Sequence, residues 1–425
     1  MQPTRVRYSV LGMLLALSII TYLDRVCINS AAPAMREDLG LSTTEMGVVF
    51  SVFAIAYGVF EIPGGWMGDR FGPRKILTRI VVWWSVFTAL TGMARSYLQL
   101  LVIRFMFGAG EAGAYPNTSC AISRWFPKSD RAQAHGWVWM ASRLGGALSP
   151  ILVGPLLERF HWSAVFYIFS AFGIVWAGIW FVWFRDYPRD MAAVNEAEVE
   201  LIGSAGPGHE GLSVKQIAGN QNLWWIMLMY HCFCYGSFWF LVWTASYLAE
   251  AKGMSAEILA AFTALPFLLG ATANFAGGYA SDALVGRIGL KWGRRLVGAV
   301  GVGLAGLLML VSLRIENPYW AASVLAAAFA ASDFTLPNCW AVCLDIGKEN
   351  AGAVTGAMNS AGQAGSAIVA AVYGGLVQTY GWDGPLVWIA GMSLISSVLW
   401  LKIDPTQPIG GQGEKELGIG MEELA

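Results

Sequence analysis

Seven charged side chains stand inside stretches of otherwise apolar sequence: Asp24, Arg25, Glu61, Arg104, Glu111, Arg143 and Asp333. At the centre of a bilayer each such charge costs about 2.5–3.5 kcal/mol on insertion scales, so seven without partners would cost roughly 20 kcal/mol. They are tolerable only where they face a wet cavity or one another, and ionisable groups so placed are candidates for function. Arg104 and Glu111 are seven residues apart, two helical turns and about 10.5 Å of rise, which puts them on one face of a helix. At Asp24 and Glu111, burial favours the protonated carboxyl while Arg25 and Arg104 favour the ionised one. Opposed influences of this kind make a switchable group, so Asp24 and Glu111 read as proton carriers. A fixed Asp–Arg tie between helices is the alternative, with Arg104 and Asp333 as charge-pairing residues. Arg143 has two readings as well. A second guanidinium beside Arg25 could grip a second carboxylate of a diacid bidentately, or Arg143 pairs with Glu111 or Asp333.

The elements that must hold these residues are membrane spans. The chain has 425 residues, 56% of them hydrophobic and 13% charged, about half the charge of a soluble domain, and its mean hydropathy is +0.53. Apolar runs lie near 8–28, 44–65, 76–95, 97–121, 134–157, 162–184, 222–248, 256–281, 294–314, 318–344, 350–379 and 384–402. A bilayer core of roughly 30 Å takes about 20 residues per helix, so the expectation is an all-α membrane protein with twelve transmembrane helices. The run beginning near Tyr8 has no clean cleavage site and is expected to stay as the first span.

Arg5 and Arg7 precede that run; Arg70, Arg74, Lys75 and Arg79, then Arg124, Lys128 and Arg131, then Arg287, Lys291, Arg294 and Arg295 crowd alternate loops. Arg36, Arg95, Arg159, Lys252 and Arg314 are spread singly over the others. That asymmetry predicts both termini in the cytoplasm and a multi-pass protein of the inner (plasma) membrane. Net charge is −1, with no basic patch for nucleic acid. The six cysteines form no CxxC pair and read as packing residues, and HExxH, P-loop and GxSxG motifs are missing. No enzyme activity, metal or cofactor is expected. The expected domains are a bundle over 1–185, a cytoplasmic linker over 186–221, a second bundle over 222–403 and a disordered tail over 404–425. The acidic run Glu196, Glu198, Glu200 and Glu210 reads as a solvated connector.

An internal repeat sets the architecture. Gly64-Gly65-Trp66-Met67-Gly68-Asp69 recurs 213 residues later as Gly277-Gly278-Tyr279-Ala280-Ser281-Asp282, each copy closing the second span of its half, and basic pairs follow both. Such repeats build transporters with a midplane site between two pseudo-symmetric six-helix bundles. Gly108-Ala109-Gly110-Glu111-Ala112-Gly113 matches GxGxxG but lies in an apolar span without a βαβ context, so it reads as close helix packing.

Gly65-Trp66-Met67-Gly68-Asp69-Arg70-Phe71-Gly72-Pro73-Arg74-Lys75 resembles the loop 2–3 signature of the major facilitator superfamily. Tyr22-Leu23-Asp24-Arg25, Arg104 with Gly108-Ala109-Gly110-Glu111-Ala112, and Trp125-Phe126-Pro127 with Arg131 resemble its anion:cation symporter family, which includes carriers of sugar acids and aromatic acids. The resemblance implies a proton-coupled symporter that imports a small organic anion by alternating access, as a monomer; an exchanger or exporter of the same fold is the alternative. It implies proton coupling at Asp24 and Glu111, anion binding at Arg25, and a gate between the halves at Asp69, Arg70 and Arg74. Tyr57 and Asn359 match positions that line the sugar-acid pocket. Tyr230, Trp340 and Gln363 are further substrate-binding candidates, Asn359 and Gln363 being one turn apart on one face. Arg143 departs from the sugar-acid members, which place an uncharged polar side chain nearby. His231 reads as a packing residue.

Overall fold

The computed structural model describes residues 2–203 and 219–409, which are helical almost throughout. The first half contains α1 (Val6–Leu39), α2 (Thr43–Phe71), α3 (Pro73–Gly92), α4 (Tyr97–Glu111), α5 (Ala114–Trp125), α6 (Arg131–Arg159) and α7 (Trp162–Trp183). A short α8 (Glu196–Ile202) lies in the linker. The second half contains α9 (Gln221–Val242), α10 (Ala256–Ile288), α11 (Leu290–Leu313), α12 (Pro318–Gly347), α13 (Ala351–Tyr380) and α14 (Asp383–Trp400), with a π-helical turn at Tyr247–Ala251 after α9. With α4 and α5 forming one broken span, the described residues make twelve spans, six in each half.

Local sequence places the ends of these helices. Ser42 and Glu45 form a capping box at the start of α2; Ser96, Asn220 and Asn317 accept from the first-turn N–H groups of α4, α9 and α12. The turn from α2 to α3 passes through Gly72 at φ 85°, and the equivalent turn from α10 to α11 passes through Gly289 at φ 84°, a region that favours glycine. Among the described residues, seven helical stretches are long and apolar enough to cross a membrane on length and composition alone, or eight with the bent pair at Gln221–Phe240 and Thr244–Ala251. The rows Val82 and Val86 of α3, Val175 and Ile179 of α7, and Val300, Leu304 and Val311 of α11 are exposed apolar surface, which a lipid environment accommodates.

Each half repeats one packing plan. α1 lies on α6 and α9 on α13; α2 lies on α4 and α10 on α12; α3 lies on α7 and α11 on α14. The halves meet through α2 against α13 and α6 against α10. The repeat explains this contact. Gly64 faces its own half, where a Cβ would stand 2.8 Å from the Ala112 carbonyl oxygen, and Gly65 faces the other half, where a Cβ would stand 2.0 Å from the Gly352 oxygen. In the second copy Gly277 approaches Phe334 of its own half and Gly278 approaches Ala132 across the interface, at 1.9 Å and 2.4 Å by the same measure. Only glycine lets these backbones approach so closely.

Two expectations change. Residues 97–121 read as one continuous span, but the helix breaks at Ala112–Gly113, with Gly113 at φ 87°. The cause is the approach of Gly64; Asn117 Nδ2 closes the gap by donating to the carbonyls of Gly64 at 2.9 Å and Gly113 at 2.8 Å. In the linker, Asn195 caps α8, and Glu198 is buried rather than solvated. Its carboxylate accepts from Thr4 Oγ1, from the Val6 and Arg7 N–H groups and from the Arg7 guanidinium. Burial pushes this carboxyl up, but these bonds outweigh it and hold it below the ordinary glutamate range. Glu210 and the rest of 204–218 lie outside the described residues, as do 410–425. Of the expected tail, Asp404 bonds Lys291 and Asn222, and the Ile409 N–H donates to Ile346. The described N-terminal residues, α8 of the linker and residues 404–409 thus share one face of the bundle, the linker face.

Candidate functional site

The apolar composition of α1, α2 and α4 brings the predicted charges together at mid-span, because each has only the others to offset its burial. Arg25 of α1 donates to Glu111 Oε1 of α4 through Nε at 3.1 Å and Nη2 at 2.7 Å. Its guanidinium also lies 4.6 Å from the Tyr57 ring centre. Arg104 is buried, with its guanidinium over Phe53 and Phe107 at 4.9 and 4.5 Å, within electrostatic reach of Asp24, Arg25 and Glu111. Asp24 is buried too, and among the described residues neither carboxylate oxygen accepts a hydrogen bond. Exposure separates the cations. The Arg25 side chain is 22% exposed and that of Arg143 is 5%.

Arg143 of α6 lies across the interface from Asp333 of α12. The pair is bidentate, Nε to Oδ2 at 2.8 Å and Nη2 to Oδ1 at 2.7 Å, and Asn274 Nδ2 of α10 adds a bond to Oδ2 at 2.9 Å. Of the two sequence readings of Arg143, this conformation adopts the pairing with Asp333.

The uncharged candidates divide. Asn359 of α13 donates to Glu61 Oε1 of α2, and Ser360 donates to the Gly58 carbonyl at 3.0 Å, both across the interface. Gln363 is half-buried beside Gly58. Tyr230 is buried, stacked on Phe233 at 5.3 Å and packed over Gly362. Trp340 is fully buried in an aromatic cluster toward the linker face. There Tyr115 stacks on Trp139 at 4.7 Å and Trp340 lies 5.2 Å from Trp139. His231 Nδ1 lies 2.9 Å from the Ala361 carbonyl oxygen within its own half.

At the linker face, Asp69 accepts from the N–H groups of Gly352 at 2.8 Å and Ala353 at 2.7 Å, the first turn of α13, where the helix dipole favours an anion. Among the described residues, Arg70 and Arg74 make their contacts within the first half. Arg70 lies over Trp66 and Phe71 of its own helix, and Arg74 bonds the Phe181 carbonyl and the Asp186 carboxylate in its own half. The second repeat copy holds a matching contact. Asp282 accepts from the Gln133 N–H at the start of α6 at 2.8 Å and from Arg294, which also bonds Asp345.

The sequence places Glu61 in a span and Asp282 in the repeat without assigning either a role, and nothing in it singles out Tyr115 or Trp139. The repeat itself signalled Asp282, which stands where Asp69 stands in the first copy. The aromatic pair carried no signal, because its ring contacts join residues far apart in sequence. Among the described residues no group of His, Cys, Asp or Glu could hold a metal ion.

The arrangement has counterparts. The family model of the Major Facilitator Superfamily matches residues 14–370 and 283–420. A probable sulfoacetate transporter of Cupriavidus necator is 34% identical over 423 residues, 97% of each chain. The hexuronate transporter of Bacillus subtilis is 30% identical over 93% of each chain, and the D-galactonate transporter of Escherichia coli is 30% identical over 94% of this chain and 96% of that one. The fold matches a human organic anion transporter with TM-score 0.72 and 17% identity, over 93% of this chain and 99% of that one. A bacterial ferroportin homologue in its outward-facing state matches with TM-score 0.72 and 14% identity over the same shares. The chain belongs to the major facilitator superfamily, in its anion:cation symporter family, and is a multi-pass membrane transporter rather than an enzyme.

Proposed function

We propose that the protein imports a small organic anion, a sugar acid or a short sulfonate or carboxylate, together with protons by alternating access. The observation that carries this reading is the Arg25–Glu111 pair: a partly exposed guanidinium held by a buried carboxylate at 2.7 Å. An anionic cargo group arriving at Arg25 competes with Glu111 for the same donors. Glu111 then takes a proton, since an ionised carboxylate left without its cation in a dry site is strongly disfavoured. Binding the anion and binding the proton become one event. Asp24, which has the Trp84 indole and Arg104 nearby, is the second proton carrier. Arg143, held by Asp333 in this conformation, ties the halves while Arg25 takes the anion.

The linker face is the cytoplasmic face on this reading, with both termini inside and the protein acting as a monomer. Among the described residues the hydrogen bonds between the halves lie at mid-span or toward that face: Arg143–Asp333, Asn359–Glu61, Ser360–Gly58, Arg131–Leu344, Asp69 on α13 and Asp282 on α6. That pattern fits the stage in which the cytoplasmic side is closed and Arg25 is reached from outside.

Uptake into proteoliposomes of radiolabelled sulfoacetate, galacturonate, galactarate and galactonate under an imposed pH gradient tests the proposal. One of these acids accumulates in the wild type. Glu111→Gln abolishes gradient-driven accumulation and keeps counterflow, because exchange needs no net proton movement. Accumulation that survives unchanged in Glu111→Gln removes Glu111 from the coupling, and counterflow with no response to the gradient in the wild type makes the protein an exchanger.

A further inference from the structure

Glu61 takes no part in the exchange at Arg25. It lies one turn beyond Tyr57 on α2, fully buried. Asn359 Nδ2 reaches its Oε1 from the other half, and the Tyr57 hydroxyl lies close without a well-formed bond to Oε2. Among the described residues, the ionisable groups that act on it are Tyr57 on its own helix, Arg25 on α1, Glu111 on α4, and Tyr230 and Cys234 on α9. Arg25 is the only cation among them, and Glu111 already occupies it.

The charges at mid-span do not balance. Arg143 and Asp333 offset one another in their bidentate pair. The remaining guanidiniums, Arg25 and Arg104, face three carboxylates: Asp24, Glu61 and Glu111. Ionising all three leaves one negative charge uncompensated in a water-poor site, and an arriving anion adds another. Glu111 holds Arg25 and Asp24 has Arg104 nearby, whereas the groups within bonding reach of Glu61, the Asn359 amide and the Tyr57 hydroxyl, are uncharged. A carboxyl with an amide partner is the one best suited to carry the balancing proton.

We propose that Glu61 is a third proton-carrying group, loaded while the halves are closed on the cytoplasmic side and discharged there when they part. This rests on the proton-coupled reading above. The Asn359–Glu61 bond crosses the interface, so the separation that opens the cytoplasmic side also breaks it and wets the carboxyl. The proton passes from Glu61 to cytoplasmic water, leaving the carboxylate, and a proton arriving from the outer side past Arg25 and Glu111 restores the acid after closure. The cycle then moves one proton more per anion than Asp24 and Glu111 alone would carry, which suits a cargo with two negative groups.

Infrared difference spectra of the purified protein in lipid, recorded as pH is stepped, test this without a cargo. Buried protonated carboxyls give separate C=O bands that vanish on ionisation. Glu61→Gln is expected to delete one band that Asp24→Asn and Glu111→Gln both leave in place. Should Glu61→Gln not fold, Asn359→Leu is expected to shift the frequency of that band, because it removes the hydrogen bond to the carbonyl oxygen. Spectra in which neither variant alters any pH-dependent carboxyl band overturn the proposal. Loss of the Asp24 and Glu111 bands from the titrating set, with the Glu61 band retained, would instead fault the coupling reading and leave Glu61 as a proton site.

Discussion

Asp69 and Asp282 hold equivalent places in the two halves, and each carboxylate binds the first turn of a helix in the opposite half, yet their surroundings differ. Asp69 has backbone N–H partners at the start of α13, and the nearby Arg124 reaches its carbonyl oxygen instead of its carboxylate. Asp282 shares Arg294 with Asp345, and Arg294 is wholly buried. The first contact can part by losing two hydrogen bonds and a helix-end interaction, with no ion pair broken. In the second contact the ion pairs lie within one half and stay made when the halves separate. Each latch therefore opens at its backbone end, and the Arg294 network keeps Asp282 aimed while it does so.

Removing Arg294 is the strongest test of this difference. Arg294→Ala leaves the Asp282 and Asp345 carboxylates without their shared cation, and a broken buried pair of this kind destabilises by about 3–5 kcal/mol. Thermal unfolding in detergent should show a large fall in Tm. Asp69→Asn, by contrast, should leave Tm nearly unchanged and favour opening of the linker face by roughly tenfold, as expected for about 1.4 kcal/mol. The labelling rate of a cysteine introduced by Ser360→Cys, at a position that bonds across the interface, reads that opening. Equal falls in Tm for both variants would erase the distinction.

The repeat glycines sharpen the comparison from the steric side. A methyl at Gly65 would meet the Gly352 carbonyl at 2.0 Å, and one at Gly278 would meet the Ala132 carbonyl at 2.4 Å. Both obstacles are backbone atoms, which cannot rotate away. Gly65→Ala and Gly278→Ala should each hinder closure of the linker face, lowering uptake by about tenfold or more, equivalent to about 1.4 kcal/mol, and speeding Ser360→Cys labelling. The shorter approach at Gly65 makes it the more severe of the two, and normal uptake by both variants would show that the halves need not meet this closely.

The sequence was legible where the chemistry repeats or cannot be hidden. The mid-span charges had to gather, and the two Gly-Gly…Asp copies pointed to a pair of similar halves. It was opaque where one backbone reshapes another: the break at Gly113 depends on Gly64, 49 residues earlier in the chain. Composition misled at Glu198, because an acidic run looks solvated whether or not four donors converge on one member. The choice between partners for Arg143 was a matter of distance across an interface, and no spacing along the chain encodes it.

The smallest expected effect concerns a second pair of equivalent carboxylates, Asp186 after α7 and Asp404 after α14. Asp186 accepts from the Arg74 N–H at the start of α3 at 2.8 Å, and Asp404 accepts from Lys291 Nζ at the start of α11 at 2.6 Å. Burial pushes the Asp186 carboxyl up, with its hydrogen bond from Arg74 and nearby Arg124 opposing. For Asp404 burial also acts upward, but Lys291 and Thr406 outweigh it and hold the carboxyl down. The signs follow from linkage. A lowered carboxyl stabilises the fold at a pH above the ordinary aspartate value of about 3.9 and loses that contribution as pH falls through its folded value; a raised one favours the fold at low pH and loses that as pH rises. Asp404→Asn should therefore lower stability at pH 7 by about 0.5–1 kcal/mol, the range for a pair whose lysine is open to solvent, with the deficit shrinking toward pH 3. Asp186→Asn should show the opposite trend, closest to wild type at low pH and gaining on it toward neutrality. Tm measured for both variants between pH 3 and 7 decides this, and parallel curves would mean that the two clasps are electrostatically alike despite their different partners.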